Sequence, residues 1–388
     1  MLASPLHRVI LLSTLSHVAF TGARLSVSLT ALHAGASPLS VGVLMSLFAA
    51  LPLLLSVKAG RAVDRLGVRR VMLLGSLLVA VGTALPFVIY RSDTLFFAAT
   101  IIGTGFMCIH ISVFHAVGML GTAETRAIDF SLLGLGFSVS GFVGPLVAGF
   151  TIDHVSHRAA FALLTLFPLI SAAVLWRAPW ALPGQQVLAH EKRQGHILEL
   201  LQVRELRDLY LISAALSLSW DVFNFAVPIH ATRVGLSASE IGAILGSFAL
   251  ATFSMRVVLP SIARRMSEWP VLLRALAVTG VTYLVFPFAT SLLPLMLLAF
   301  LLGVALGAQQ PMLMSVLHAA TPPHRVGEAI GLRTSLINLS QTAMPLLFGA
   351  LGSVVGMTPV FLGVAGALAG GCTVALPHAR KQRRPAAR

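Results

Sequence analysis

Two polar stripes interrupt apolar stretches of this sequence, and they hold the residues best suited to chemistry inside a helix bundle. Steps of 4, 3 and 4 residues place side chains on one helix face, and the first stripe with these steps is His17, Thr21, Arg24 and Ser28. The second stripe lies 200 residues later and consists of Ser217, Asp221, Asn224 and Pro228. Ionisable groups are costly at membrane depth, so Arg24 and Asp221 are predicted to be functional.

Asp221 is the strongest candidate for a proton carrier. Burial disfavours its charged form and a nearby cation favours it, so its proton occupancy would follow its surroundings. Arg24 is predicted to pair with Asp221 or with an anionic group on a substrate, because the two stripes are expected to face each other across a central cavity. A fixed ion pair between Arg24 and Asp221, with a structural role only, is the alternative.

Other polar and aromatic side chains within apolar stretches are weaker candidates for the same pathway. They are His110, Gln309, Gln310, Asn338, Gln341 and Trp220. A lone histidine either shuttles protons or hydrogen-bonds a neighbour, and amides either line a cavity or join helices. Trp220 is placed to stack on an aromatic solute or to pack between helices. The His, Cys and carboxylate residues lack the spacing of a metal site, so no metal is expected.

The composition requires lipid as the solvent for most of the chain. Of 388 residues, 57% are hydrophobic and 10% are charged, with a mean hydropathy of +0.90, whereas soluble domains carry about 25% charged residues. The net charge of +14 would suit nucleic acid only if the basic residues formed a patch. Of the 27 Lys and Arg residues, only 3 fall on one side of the predicted spans, and most of the others fall on the opposite side. This asymmetry marks the cytoplasmic side, so no nucleic-acid partner is predicted.

Apolar stretches long enough to cross a bilayer, which takes about 20 residues, occur twelve times. They fall at roughly 9–31, 38–59, 71–90, 95–119, 129–150, 159–177, 209–231, 238–259, 270–290, 293–317, 329–352 and 358–376. An even number puts both termini on one side, and Arg8 with the basic residues at 380–384 assigns that side to the cytoplasm. The first stretch is predicted to be a retained helix because no cleavage site follows it. The expected location is a bacterial-type inner membrane.

The predicted domains are a six-helix bundle at 1–177, a cytoplasmic linker at 178–208 and a second six-helix bundle at 209–388. The linker's second part, from His196 to Leu209, has apolar residues spaced for an amphipathic helix on the membrane surface. A solvated linker is the alternative interpretation.

The two bundles are predicted to be repeats of one fold. At an offset of 200, Val41-Gly42 matches Ile241-Gly242, Phe48-Ala49 matches Phe248-Ala249, and Gly103, Pro145 and Gly149 match Gly303, Pro345 and Gly349. One offset that holds over a hundred residues indicates duplication. Repeats of this kind place a substrate site at their interface near the membrane midplane.

The loop between the second and third stretches reads Gly60-Arg61-Ala62-Val63-Asp64-Arg65-Leu66-Gly67-Val68-Arg69-Arg70. It resembles the signature loop of the major facilitator superfamily, which implies an all-α membrane fold of twelve helices in two six-helix halves. By this resemblance Gly60, Asp64, Arg65, Gly67 and Arg69 form a latch that stabilises the outward-open state. Gly60 is also expected to end a helix and to permit a close helix approach. The alternative role for the arginines is to anchor the topology.

The fifth stretch contains Gly134, Gly136, Gly141, Gly144-Pro145 and Ala148-Gly149. It resembles the glycine-rich fifth helix of proton-coupled exporters in that superfamily, so Gly141, Gly144, Pro145 and Gly149 are predicted to pack helices closely. Two departures weaken the resemblance: Ala148 replaces a glycine, and the fourth stretch lacks the arginine that such exporters often carry. A nucleotide-binding loop is excluded because no strand precedes these glycines.

The combined prediction is a secondary active transporter that moves a small organic solute by alternating access, with proton-coupled export favoured. Uptake of an organic anion with protons is the alternative suggested by Arg24. A non-transporting membrane sensor or scaffold is the alternative from another class. An enzyme is not predicted, because there is no phosphate-binding loop and no nucleophile with a base. The expected partners are a small-molecule substrate and lipid; no cofactor besides a proton gradient is expected, and the chain is expected to be a monomer.

Overall fold

Long α-helices make up almost all of the described chain. The computed structural model describes residues 4–120, 126–177, 197–263, 267–321 and 326–383, and no strand occurs in these ranges. The helices of the first half are α1 (Pro5–His33), α2 (Pro38–Leu66), α3 (Val68–Val88), α4 (Ser92–Leu120), α5 (Arg126–His154) and α6 (His157–Arg177). Those of the second half are α7 (Arg204–Arg233), α8 (Ala238–Ala263), α9 (Glu268–Val285), α10 (Leu292–Gly307), α11 (Gln309–Ala320), α12 (Val326–Val355) and α13 (Thr358–Arg383).

Eleven helical segments of the described chain are long and apolar enough to cross a membrane. One of them, Leu292–Leu317, runs through both α10 and α11. The helix breaks at Ala308, because Pro311 cannot donate a backbone hydrogen bond and its ring conflicts with the carbonyl of Gly307. The one predicted stretch without such a segment, 329–352, lies within α12, a 30-residue helix whose polar residues lower its hydropathy.

The ends of the helices follow local sequence signals. The Ser37 hydroxyl accepts a hydrogen bond from the Ser40 amide at the start of α2, and Pro38 occupies the first turn, where its missing N–H costs nothing. Gly67 ends α2 with φ at 81°, a conformation that favours glycine. Gly60 lies inside α2, and a Cβ there would meet no described heavy atom within 4 Å. The expectation that Gly60 ends a helix is therefore wrong, and the described residues show no close approach to it.

The repeat seen in the sequence is reproduced in three dimensions. The pairs α2 and α8, α3 and α9, α4 and α10, and α5 and α12 each begin 200 residues apart. A Cβ on Gly103 would collide with the Phe48 carbonyl, and a Cβ on Gly303 would collide with the Phe248 carbonyl. The edge-to-face contact of Phe20 with Phe48 likewise recurs between Trp220 and Phe248. Each half therefore builds the same helix contacts from equivalent positions.

The chain forms two compact units. The first consists of Met1–His190 with Gly235–Gly246, and the second of Glu191–Val234 with Ser247–Arg388. In the first unit α1 packs on α5 and α3 packs on α6; in the second α7 packs on α12 and α9 packs on α13. The first residues of α8 belong to the unit of α1–α6, so α8 is shared between the units. The predicted boundaries at 177 and 208 stay predictions.

The segment before α7 differs from the predicted amphipathic helix at His196–Leu209. Residues Ile197–Leu201 form a short 3-10 helix, and α7 begins at Arg204. Leu206 and Leu209 are buried as part of α7 itself. Their apolar spacing therefore reflects packing in the second unit. Residues 178–196, the rest of the linker, lie outside the described ranges.

Candidate functional site

Aromatic rings surround His17 in the first unit. The His17 ring lies 4.9 Å from the Phe106 ring and 4.6 Å from the Phe137 ring, measured between centroids. Phe20 stacks on Phe106 at 4.2 Å. These four residues, contributed by α1, α4 and α5, are all half-buried, and we refer to them as the aromatic cluster. Half-buried stacked rings provide flat apolar surface and a polar imidazole edge.

The aromatic cluster extends to two further predicted residues. His110 lies 5.8 Å from both Phe106 and Phe137, and it packs at 4.4 Å against Phe114. The Arg24 guanidinium carbon lies 5.9 Å above the Phe20 ring, a cation–π distance. Of the residues predicted from the first stripe, His17 therefore belongs to this cluster and Arg24 lies against it. The predicted residue His110 also lies against the cluster.

Thr21, another residue of the first stripe, takes part in the close packing of α1 on α5. Its hydroxyl donates to the Ser140 carbonyl at 3.0 Å and also to carbonyls of its own helix. The Ser140 hydroxyl hydrogen-bonds the His17 Nδ1 at 2.5 Å. A Cβ on Gly144 would collide with the Thr21 hydroxyl, so a glycine is required there for this approach. Ser28 is buried and its hydroxyl has no partner among the described residues.

In the second unit, Asp221 of α7 meets Ser340 of α12. The Ser340 hydroxyl donates to Asp221 Oδ2 at 3.3 Å, and Asp221 is only 6% exposed. The adjacent Trp220 is half-buried and packs edge-to-face on Phe248 with 4.8 Å between ring centroids. Phe223 stacks on the same Phe248 ring at 4.3 Å. A buried carboxyl group and an aromatic wall therefore occur on neighbouring positions of α7.

Asp221 and Ser340 occupy positions equivalent to those of Thr21 and Ser140 in the first half. The offset is 200 in both cases. In the first half α1 contacts α5 at these residues, and in the second half α7 contacts α12. Where the first half has a hydroxyl, the second half has a carboxyl. This substitution places an ionisable group at one of the two equivalent helix contacts.

Arg333 is a buried cation that the sequence analysis missed. It is 5% exposed; its Nε donates to the Ser213 hydroxyl and its Nη2 to the Gln310 Oε1, both at 2.8 Å. Arg333 lies seven residues before Ser340 on α12, and Ser213 lies eight before Asp221 on α7. Ser213 and Arg333 are therefore about two turns from the Asp221 contact on both helices. The sequence could have identified Arg333, because it is an ionisable residue within the predicted stretch 329–352, and such residues are candidates for a function.

The remaining predicted polar residues of the second half have varied surroundings. Gln310 is exposed and bound to Arg333, whereas Gln309 is buried with its Oε1 lacking a partner in the described structure. The Asn224 amide donates to the Trp220 carbonyl of its own helix at 2.9 Å. Asn338 and Gln341 are half-buried on α12. The Asn224 contact suits a role in its own helix, whereas the surroundings of Gln309, Gln310, Asn338 and Gln341 would also suit the lining of a polar cavity.

The predicted latch loop joins α2 to α3. Arg69 donates from Nε to the Leu175 carbonyl and from Nη2 to the Trp176 carbonyl, both at 2.8 Å, and so caps the end of α6. Gly67 provides the turn and Arg65 is exposed. The side chain of Asp64 lies outside the described part of the structure. The latch role of these residues stays a prediction.

The fifth helix packs on the start of α8. A Cβ on Gly149 would collide with the Ala238 carbonyl, and a Cβ on Gly242 would lie 2.6 Å from the Pro145 carbonyl. Asp153, at the end of α5, accepts hydrogen bonds from the backbone amides of Ala238 and Ser239 at 3.0 and 2.6 Å. Gly144, Pro145 and Gly149 therefore all lie at close helix contacts, and Gly141 is half-buried beside them.

Within the described ranges, no group of three or more His, Cys, Asp and Glu side chains is arranged to hold a metal ion. The described groups best suited to chemistry are the buried carboxyl group of Asp221 and the half-buried rings of the aromatic cluster. The predicted pairing of Arg24 with Asp221 stays a prediction.

A family model described as Major Facilitator Superfamily matches residues 9–211 and 209–388. Among curated relatives, the quinolone resistance protein NorA of Staphylococcus aureus (strain MSSA476) is 21% identical over 335 residues, covering 85% of each chain. The multidrug efflux pump Tap of Mycolicibacterium fortuitum is 26% identical over 342 residues, covering 81% of each chain.

Solved structures share the fold over nearly the whole chain. A POT family transporter in complex with a thioalcohol-conjugated peptide superposes with a TM-score of 0.80 at 13% identity, covering 98% of this chain and 96% of that one. A bacterial homolog of the human lysosomal transporter Spinster, inward-facing and occupied, gives a TM-score of 0.74 at 15% identity, covering 98% of both chains. At these identities the similarity concerns the fold alone.

Proposed function

The chain belongs to the major facilitator superfamily, and we propose that it exports small hydrophobic organic solutes by alternating access in exchange for protons. Members of this family are membrane transporters, so the rival class of a non-transporting sensor is disfavoured. We also propose that the chain lies in the inner membrane with both termini in the cytoplasm, because Lys and Arg concentrate on one side of the spans.

The observation that carries the proposal is the burial of Asp221 beside Ser340 within an apolar helix. A carboxylate in a low-dielectric bundle is costly, and protonation removes that cost. The Ser340 hydroxyl can donate to the charged carboxylate and can accept from the protonated one. Asp221 can therefore hold either state, as a proton carrier must.

The aromatic cluster supports a hydrophobic, ring-bearing solute. Its half-buried rings of Phe20, Phe106 and Phe137 offer stacking surface, and Trp220 adds another half-buried ring in the second unit. Two relatives are named as a quinolone resistance protein and a multidrug efflux pump, which fits the same chemistry. We extend that chemistry to this chain as part of the proposal.

The test uses purified protein in liposomes with an imposed pH gradient and two aromatic probes, a fluorescent phenanthridinium cation and a fluoroquinolone. An exchanger accumulates the probe inside when the interior is acidic, whichever way the protein is inserted. The Asp221→Asn variant is expected to lose gradient-driven accumulation. Asp93→Asn is the matched control, because Asp93 is an exposed acid paired with Arg91, and it should retain accumulation.

Two outcomes would overturn the proposal. Accumulation of organic anions with an acidic exterior, abolished by Arg24→Gln, would establish the uptake alternative. Full gradient-driven transport by Asp221→Asn would remove the proton role of this residue and leave the family assignment in place.

A further inference from the structure

A cavity of about 480 Å³ opens between the ends of three helices in the second unit. Its lining consists of Arg204, Glu205, Trp269, His378, Lys381 and Gln382, which we call the cationic pocket. The first turns of α7 and α9 and the end of α13 supply these residues. All lie on the side that carries the basic C-terminal tail, proposed above to be cytoplasmic.

Two exposed cations, Arg204 and Lys381, and one exposed acid, Glu205, line the cationic pocket. The Arg204 side chain is 79% exposed and Lys381 is also exposed. The separation of 3.9 Å between Arg204 Nε and Asp208 Oδ2 is longer than a hydrogen bond. The guanidinium group has five N–H donors, so this pair leaves donors of Arg204 to offer to an anion.

The acids around the pocket are already engaged by protein donors. His378 Nε2 lies 2.9 Å from Asp208 Oδ2, and Arg207 Nε lies 3.7 Å from Asp208 Oδ1. The Glu205 Oε1 accepts from the Trp269 indole at 3.4 Å, and the Glu268 Oε1 accepts from the Ser315 hydroxyl at 2.8 Å. The Arg207 contact offsets the charge of Asp208, whereas the indole and hydroxyl contacts hold Glu205 and Glu268 in place without changing their charge. Among the lining residues, the two cations Arg204 and Lys381 therefore outnumber the one acid, Glu205.

The floor of the pocket is aromatic and rigid. Trp269 is 1% exposed, and its ring stacks on His378 with 4.1 Å between centroids. Gln382 accepts a hydrogen bond from the Trp269 amide at 3.1 Å and so caps the start of α9. The N-cap residue of α7, Val203, makes no side-chain cap. The start of α7 therefore adds partial positive charge beside Arg204, in the same turn as the acidic Glu205.

We propose that the cationic pocket binds the phosphate group of an anionic phospholipid from the cytoplasmic leaflet. A pocket between helix ends whose lining has an excess of cations matches the charge of such headgroups at this surface. The cavity volume is also within the range of small-ligand sites, about 300–1,000 Å³. A phospholipid bound in the cationic pocket would bridge α9 and α13 to α7, the helix that carries Asp221. The inference rests on the proposed orientation and is independent of the transported solute.

The test measures lipid retention by native mass spectrometry on protein from phosphatidylcholine nanodiscs that contain a small fraction of phosphatidylglycerol. The double variant Arg204→Gln with Lys381→Gln is expected to bind phosphatidylglycerol about 30-fold more weakly, because each cation near an anionic surface contributes roughly fivefold. The conservative double variant Arg204→Lys with Lys381→Arg should retain binding. Thermal unfolding in pure phosphatidylcholine checks that each variant is folded.

The matched control is Arg61→Gln with Arg70→Gln, which removes two exposed cations from the loop on the same proposed side of the first unit. It should leave phosphatidylglycerol retention within about threefold of wild type, since the lipid is dilute and the general surface potential is small. Equal losses in both double variants would overturn the proposal, as would equal retention by wild type and the pocket variant. A third outcome would also overturn the proposal. If millimolar glycerol phosphate displaces the lipid and binds as well as phosphatidylglycerol, the pocket is a site for soluble anions.

Discussion

The Ser340 hydroxyl donates to Asp221 Oδ2 across 3.3 Å, at the two positions where the first half brings Ser140 and Thr21 together. The duplicated fold thus uses the same contact between helices twice. In the first half it joins helices through neutral groups, and in the second it holds a group that can carry a proton. The two halves differ at this contact because the first half has a threonine, Thr21, where the second half has an aspartate, Asp221.

Ser340→Ala is expected to shift the pH dependence of transport to higher pH. The hydroxyl donates to the carboxyl group, so its removal takes away a hydrogen bond that stabilises the charged form. The measurement is exchange rate against pH in liposomes. Thr342→Ala is the control, because the Thr342 hydroxyl bonds only the Asn338 carbonyl of its own helix among the described contacts. An unchanged midpoint in Ser340→Ala would contradict the coupling of these two residues.

Ser213→Ala is expected to lower the free energy of unfolding by about 2 kcal/mol, because the buried guanidinium of Arg333 loses an acceptor. Arg333→Met should cost less, since it removes the buried charge together with its demand for partners. The double variant should therefore cost less than the sum of the single variants. Thermal unfolding in detergent measures all three. Strict additivity would show that the two side chains do not interact.

Gly103→Ala and Gly303→Ala are expected to destabilise the protein, because each added methyl group meets a backbone carbonyl, that of Phe48 or Phe248. Gly60→Ala is expected to be neutral or to stabilise α2 by up to about 1 kcal/mol, since the added Cβ meets nothing described within 4 Å. Thermal unfolding and transport rate separate two roles for Gly60. A stable but inactive Gly60→Ala variant would support the latch role taken from the family resemblance.

Asp153→Ala is expected to expose the amides at the start of α8. Asp153 accepts from the Ala238 and Ser239 amides, whereas Glu240 accepts from the Ser237 amide of the preceding turn. Loss of a cap costs about 1 kcal/mol, so hydrogen exchange at Ala238 and Ser239 should accelerate several-fold. Glu240→Ala should act on the Ser237 amide instead. Unchanged exchange at Ala238 and Ser239 in Asp153→Ala would show that these amides have other partners.

The sequence by itself determined the features that depend on local periodicity and composition. Apolar stretches of membrane length and the offset of 200 residues predicted helices and a repeat that the structure contains. The polar stripes placed His17 and Arg24 on one face of α1, and both lie against the same aromatic cluster. Helical periodicity fixes which residues share a face before any helix packs.

Only the tertiary structure decided which faces meet. The contacts of Asp221 with Ser340, and of Arg333 with Ser213 and Gln310, join residues that are more than 20 positions apart. The same holds for glycines: a Cβ on Gly60 would meet no described atom within 4 Å, whereas a Cβ on Gly103 would meet the Phe48 carbonyl. The sequence alone does not distinguish these two glycines. Contact depends on the distance and rotation between packed helices, and these are set by all the side chains along each seam.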